Sequence, residues 1–253
     1  MAVQELTKRS AGELMPPPHA YGPEAIRNIN GKFVCDINLG GNAVTLPLIN
    51  VGKDKPNWVA YADVRQNVEL AMAALPEMVS RIYTAIQNGA SIDAIVTPQS
   101  DKSEAFIRSV TLELSRRLGR VIPLIQLVGS IDNPEFVKNK SAPGLTTECV
   151  SVVSKAKGIT KTIGMTEKDA QILKAVDGRV AWVDDVLTTG TTREKSFYLI
   201  NKALGKPEDT TYPTFVIAVE SEWGPAYPKA FPEYNAIYQT PEFTTLIPDI
   251  LRK

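Results

Sequence analysis

From residue 92 to 219 the apolar positions follow two alternating rhythms. Short runs at 92–97, 121–128, 180–183 and 212–219 read as buried strands, and 236–239 as a short last one. Between them lie stretches with helical spacing. Ala105, Phe106, Val110, Leu114 and Leu118 mark a helix over 103–118; Phe197, Leu199, Ile200, Ala203 and Leu204 mark one over 194–204. Upstream, Val64, Val68, Ala71, Met72, Leu75, Val79, Ile82 and Ile86 recur at the same spacing over 63–87, where Pro76 predicts a kink or two helices. Strands alternating with helices predict an α/β fold with a mainly parallel sheet. Ligands of such sheets bind at the carboxyl ends of strands. That brings the loops at 97–104 and 184–192 to one edge.

The flanks are less regular. Runs at 33–37 and 44–49, joined across Leu39, Gly40, Gly41 and Asn42, predict a hairpin. Residues 1–30 hold a Pro-rich stretch at 15–23 and predict an arm without regular structure, with His19 on the surface. Between 129 and 178 the rhythm breaks. A polar segment carries Lys138, Lys140, Lys155, Lys157 and Lys161, and it reads as a lid or as a solvated hairpin. The organisation expected is an N-terminal arm and hairpin over 1–60, a core over 61–220 with a flexible lid at 129–165, and a tail over 221–253.

Composition narrows the function. The chain has 253 residues, and Lys+Arg and Asp+Glu are both 28, so net charge is zero. That argues against a nucleic-acid binder, whose affinity rests on excess positive charge. With a single histidine, histidine catalysis and multi-His metal sites are not expected. Cys35 and Cys149 fit no metal or disulfide framework, and a reduced cytoplasmic setting is the default. No apolar run approaches the ~18 residues of a membrane span, and the start lacks a signal-peptide core.

The chemistry concentrates at 180–192, Val-Ala-Trp-Val-Asp-Asp-Val-Leu-Thr-Thr-Gly-Thr-Thr. A hydroxyl-rich turn with a central Gly190, opening a helix, makes a phosphate cradle. Asp184 and Asp185 would repel a plain phosphate. They suit a ligand that also carries a vicinal diol or a magnesium ion, because a carboxylate only accepts hydrogen bonds. The bland reading is that Asp and Thr merely cap the helix, which explains one or two such residues and not the ordered set. No P-loop pattern is present.

This stretch resembles the phosphoribosyl pyrophosphate (PRPP) motif of the type I phosphoribosyltransferases. The resemblance implies a Rossmann-like sheet flanked by helices, with a small variable hood. It implies that Asp184 and Asp185 bind the ribose diol, and magnesium through water. Val186, Leu187, Thr188, Thr189, Gly190, Thr191 and Thr192 would line the 5′-phosphate loop. The loop reading Thr-Pro-Gln-Ser-Asp-Lys-Ser-Glu at 97–104 occupies the place of the pyrophosphate loop, so Gln99, Ser100, Asp101, Lys102 and Ser103 fall there. Asp184, Asp185 and Lys102 are the candidate catalytic residues.

The implied activity is PRPP-dependent transfer of ribose 5-phosphate to a base, with magnesium, as in nucleotide salvage by a homodimer. Hypoxanthine-guanine members carry an acid at the position of Thr188. Its absence leaves adenine-, xanthine- and orotate-type acceptors. The segment 138–153 resembles the hairpin of adenine-type members, and Trp223 stands where an aromatic stacks on the base in xanthine-type members. Both favour a purine, although Trp223 also reads as a packing residue. The family hairpin at this point closes over PRPP, which favours the lid. Adenine- and xanthine-type members carry a glycine in the pyrophosphate loop, and this loop has none. That departure keeps open a PRPP-sensing regulator on the same fold. A purely structural subunit of a larger complex is the third alternative.

Overall fold

The computed structural model describes residues 19–21, 23–50, 58–130, 145–154, 159–188, 190–219 and 234–239. Its centre is a sheet of strands β1 (His19–Ala20), β6 (Ala94–Pro98), β7 (Leu124–Ser130), β8 (Leu145–Ser154), β9 (Ile159–Thr166), β10 (Val180–Leu187), β11 (Thr214–Val219) and β12 (Tyr234–Gln239). They lie in the order β1-β12-β11-β10-β6-β7-β9-β8. Pairing is parallel from β1 to β7. Only the β8–β9 hairpin at one edge runs antiparallel. The α/β class expected from the alternating rhythm is the one observed.

Each strand sends alternate side chains to opposite faces. Ile95, Ala181, Val183, Phe215 and Ile217 pack on one face with helices α1 (Val68–Gln87) and α2 (Glu104–Leu118). Val96, Val180, Trp182 and Val216 pack on the other with α3 (Glu167–Ala175) and α4 (Thr191–Leu204). A second sheet of antiparallel strands β2 (Ile26–Ile29), β3 (Lys32–Leu39), β4 (Asn42–Asn50) and β5 (Trp58–Ala60) covers the first of these cores. Its alternation is clean: Phe33, Cys35, Ile37 and Leu39 point inward from β3. The β3–β4 turn is made by Gly40 and Gly41 at φ 58 and 89, where a side chain would be strained.

Several expectations need correction. The 63–87 stretch is a single helix that begins at Val68, capped by Asn67, and it continues through Pro76. Pro76 lies on the solvent side, where water can satisfy the carbonyl that a proline leaves unpaired. The buried stripe is Leu70, Ala73, Ala74, Met78, Val79, Ile82 and Ala85, so Val68 and Met72 are exposed. In α2 Ala105 is likewise exposed. β7 begins after Pro123, and Val121 is exposed. His19 does not lie in an irregular arm: with Ala20 it adds a parallel edge strand to β12. Just after the basic segment, Thr162, Ile163, Gly164 and Met165 on β9 are buried, and β9 pairs with both β7 and β8. Lys138, Lys140, Lys155 and Lys157, the loop at 52–56 and most of the tail lie outside the described residues.

Candidate functional site

The chain leaves β6 through α2 to reach β7 on one side, and leaves β10 through α4 to reach β11 on the other. The two helices lie on opposite faces of the sheet. Between β6 and β10 the connections therefore diverge, and the crevice at such a switch point is where open α/β sheets take ligands. The ladder agrees. β6 and β10 pair only from Val180 to Trp182, while β10 follows β11 to Leu187. Thr97 and Pro98 still pair with β7. The strands thus part at their carboxyl ends, with the candidate loops above the gap.

Asp184 and Asp185 lie in this gap. They are inside β10 and not in a loop after it, because β11 goes on pairing after β6 has stopped. The alternation of β10 reverses across them. Val183 packs with the α1–α2 core, yet so does Val186, and Leu187 packs with the other. The local backbone is tied by side chains: the Asp185 amide donates to Asp184 Oδ1 and the Val186 amide to Asp185 Oδ1, each at 2.9 Å. Asp184 is 8% exposed and Asp185 half-buried. Burial pushes the Asp185 carboxyl above the ordinary carboxylate range. A hydrogen bond with the Asp184 carboxyl, the Val186 amide and the charge of Lys102 pull it the other way.

Thr188 follows the strand, half-buried, and Thr189 lies outside the described residues. Gly190 is the N-cap of α4 at φ 72, with no side chain to cap the first turn. The first backbone bond of the helix runs from the Glu194 amide to the Gly190 carbonyl at 2.9 Å. Thr191 and Thr192 form the opening of the helix, half-buried at its mouth. Arg193 turns away from it. Its Nε donates to Thr214 Oγ1 at 2.8 Å and its guanidinium lies 4.4 Å from the Phe197 ring centroid, so it anchors the helix to β11.

Across the gap, α2 also opens without a side-chain cap. Ser103 occupies the N-cap position, fully buried in a helical conformation, and its Oγ meets no partner among the described residues. Neither Ser100 nor Asp101 holds that position. By contrast, α1 and α3 are capped by side chains. Asn67 Oδ1 accepts from the Leu70 amide at 2.8 Å in α1, and Thr166 Oγ1 from the Asp169 amide at 3.1 Å in α3. A cap side chain satisfies one of the orphan amides of a first turn. Both helices that follow the strands of the switch point therefore present first-turn amides that no side chain caps, an arrangement that favours anions.

The remaining loop residues divide. Gln99 is held in place, its Oε1 accepting from the Gly129 amide at 2.8 Å. Asp101 is exposed. Lys102 acts electrostatically on Asp185, and its Nζ lies 4.3 Å from the centroid of the Tyr61 ring. Lys102 is thus near enough to Asp185 for its charge to favour the carboxylate. The structure also brings in Tyr61 and Asp63, which the sequence reading did not single out. The signal available was an Asp followed at short spacing by a helix start in Tyr-Ala-Asp-Val-Arg-Gln-Asn at 61–67. A cavity of about 430 Å³ opens beside them, lined by Pro47, Tyr61, Asp63 and Gln66. Trp223 lies outside the described residues.

Among the described residues no group of three or more acids, cysteines or histidines could hold a metal by itself. The two carboxyls of Asp184 and Asp185 could hold a magnesium ion that keeps most of its waters.

No family model matches the chain, and no curated protein matches it. Solved structures do. One is adenine phosphoribosyltransferase from Thermoanaerobacter pseudethanolicus, 14% identical at a TM-score of 0.46, covering 77% of this chain and 95% of that one. The Giardia lamblia enzyme complexed with 9-deazaadenine is 14% identical at 0.46, covering 81% and 93%. The Trypanosoma brucei enzyme, in complex with AMP, pyrophosphate and ribose-5-phosphate, is 12% identical at 0.43, covering 74% and 72%.

Proposed function

We propose that the chain is a PRPP-dependent phosphoribosyltransferase that passes ribose 5-phosphate to a ring nitrogen of a base, a purine, and releases pyrophosphate. The observation that carries this reading is the pair of uncapped helix openings, at Gly190 and Ser103, on either side of Asp184 and Asp185. PRPP has a phosphate at each end and a diol between, which matches that arrangement. In this reading the turn at Thr188–Thr192 takes the 5′-phosphate. The acids accept from the diol, and Ser100, Lys102, Ser103 and the α2 amides take the diphosphate.

The bond from C1 to the diphosphate oxygen breaks with its electron pair going to pyrophosphate. The bond from C1 to the base nitrogen forms, and the nitrogen gives up its proton. The transition state is rich in oxocarbenium character, as in other glycosyl transfers. Magnesium, when bound, neutralises charge on the leaving group. Lys102 and the amides opening α2 favour the same charge as it develops. The family resemblance at 138–153 and the aromatic Trp223 support a purine, while the lack of an acid at Thr188 argues against a hypoxanthine-guanine acceptor. A homodimer belongs to the same reading, and light scattering checks it.

The test is release of pyrophosphate from PRPP and magnesium with adenine, xanthine, hypoxanthine, guanine, orotate and uracil in turn. Turnover with a purine is expected. A second reading, a regulator that binds PRPP without turnover, is favoured by one observation. Gln99 is committed to Gly129 in a loop without glycine. Tight PRPP binding with silence toward every base would establish it.

A further inference from the structure

Lys102 does not stand free at the crevice. Its ammonium sits 4.3 Å from the centroid of the Tyr61 ring, within the range of a cation–π contact. Tyr61 comes from another part of the fold, the segment between β5 and α1. It is held at both ends. Its amide donates to the Pro47 carbonyl on β4 at 2.9 Å, and its hydroxyl donates to Asp63 Oδ2 at 3.1 Å. Asp63 is in turn fixed. It is 1% exposed, and its Oδ1 accepts from the Arg65 and Gln66 amides at 3.0 and 3.2 Å. A buried carboxylate with these donors does not move cheaply. The ring is therefore a rigid platform for a side chain that is otherwise among the most mobile.

We propose that Tyr61 is a positioning residue for Lys102, holding its ammonium at the mouth of the 99–103 loop beside Asp185. An aromatic face attracts the ammonium without using up its hydrogens in directed bonds. Those hydrogens stay available to anionic oxygens on the other side. A lysine already placed loses less rotamer freedom when the anion arrives, so the platform favours binding by preorganisation. The small antiparallel sheet, whose Pro47 carbonyl holds the Tyr61 amide, thereby acts on the diphosphate loop without touching its ligand. The ligand named here rests on the phosphoribosyl reading; the contact between the two side chains does not.

Two measurements test it. In the proton NMR spectrum the ε-methylene of Lys102, assigned by its loss in Lys102→Arg, should be shifted upfield by the ring. The shift should persist in Tyr61→Phe, which keeps the ring, and vanish in Tyr61→Leu. An ordinary chemical shift in the wild type, or one unmoved in Tyr61→Leu, overturns the proposal. The wild-type spectrum and Tyr61→Phe decide this even should Tyr61→Leu not fold. In calorimetry with magnesium pyrophosphate, Tyr61→Leu should weaken binding roughly two- to fivefold, the size of an exposed cation–π contact. It should have no effect once Lys102→Ala is present. An equal loss in the Lys102→Ala background shows that Tyr61 acts on something else and sinks the idea. A shifted Lys102 signal in a protein that binds no pyrophosphate upholds the positioning and refutes the phosphoribosyl reading.

Discussion

Val96 and Trp182 are the last residues paired between β6 and β10. Beyond them β10 continues along β11 alone, and Asp184 pairs with Val216 with no neighbour on the β6 side. A parallel sheet buried on both faces normally keeps its strands together, because an unpaired backbone group inside the protein is expensive. Here the acids supply the local acceptors themselves, taking the Asp185 and Val186 amides. Two amides where the strands part are thus satisfied by the acids' own side chains.

The acids should be needed for sugar binding and not for folding. Asp184→Asn combined with Asp185→Asn is expected to weaken PRPP binding by several kcal/mol, since a charge-assisted bond contributes roughly 1.5–3 kcal/mol. Unchanged calorimetric affinity would remove the diol from the assignment.

Asp185 also has a signature in stability. Its folded-state carboxyl is raised, with burial as the leading cause. A raised acid leaves the fold unpenalised at low pH, where the group is neutral folded and unfolded. Above the unfolded value of about 3.9 the unfolded chain ionises more readily, so native stability falls as pH climbs through the folded value. Asp185→Asn should thus unfold at higher temperature than the wild type at pH 7, with the gap closing toward pH 3. A gap that is independent of pH would mean that the carboxyl carries no burial penalty. A stabilising substitution that also loses ligand is the usual trade at a binding site.

Lys102→Ala should lower the rate of pyrophosphate release by about ten- to a thousandfold, the range for one transition-state donor, with a smaller change in PRPP affinity. Charge on the leaving group grows only as the bond breaks. If affinity falls as far as rate, Lys102 binds the ground state and is no part of the chemistry.

Gly190 caps α4 in the left-handed region at φ 72 and is buried. Gly190→Ala should destabilise the protein by roughly 1–2 kcal/mol, the penalty of that conformation for an L residue. It should also weaken PRPP, because the first turn of α4 shifts. Urea unfolding measures the first effect and calorimetry the second. A neutral substitution would place the turn in another conformation.

Cys35 should be inert. It is 1% exposed on the inner face of β3, and burial pushes its thiol up to about 12. The thiolate is the reactive form. Peptide mapping after alkylation at pH 8 should find Cys35 unmodified in the native protein and labelled in urea. Ready labelling of the folded chain would show that β3 opens.

Some features were legible because they are local. The order of strands and helices follows from period and run length, and the glycines at 40 and 41 specify a hairpin from two residues. The acid and threonine run at 180–192 needs no tertiary information to suggest a phosphate turn beside acceptors. Helix faces were less legible. In α1 nearly every side holds an apolar residue, so periodicity could not tell the Leu70–Ala85 stripe from the Val68 and Met72 side. Packing against α2, the main sheet and the covering antiparallel sheet makes that choice. The extent of β10 was also hidden, because whether a strand continues depends on its neighbours and not on its own residues.

The sequence by itself determined the strands and helices of the alternating stretch and the run of acids and threonines that ends β10; it did not mark β2, β5, β8, β9 or α3. Only the tertiary structure decided what stands opposite that run. Strand order places β6 beside β10 although β7, β8 and β9 intervene in the chain, and this brings Ser103 and Lys102 across from Asp185. It likewise decided that Tyr61, remote in sequence, lies under Lys102. Local pattern is set by the backbone's few allowed conformations and the burial of one face. Which loops meet is set by how whole layers pack, and no window of sequence contains that.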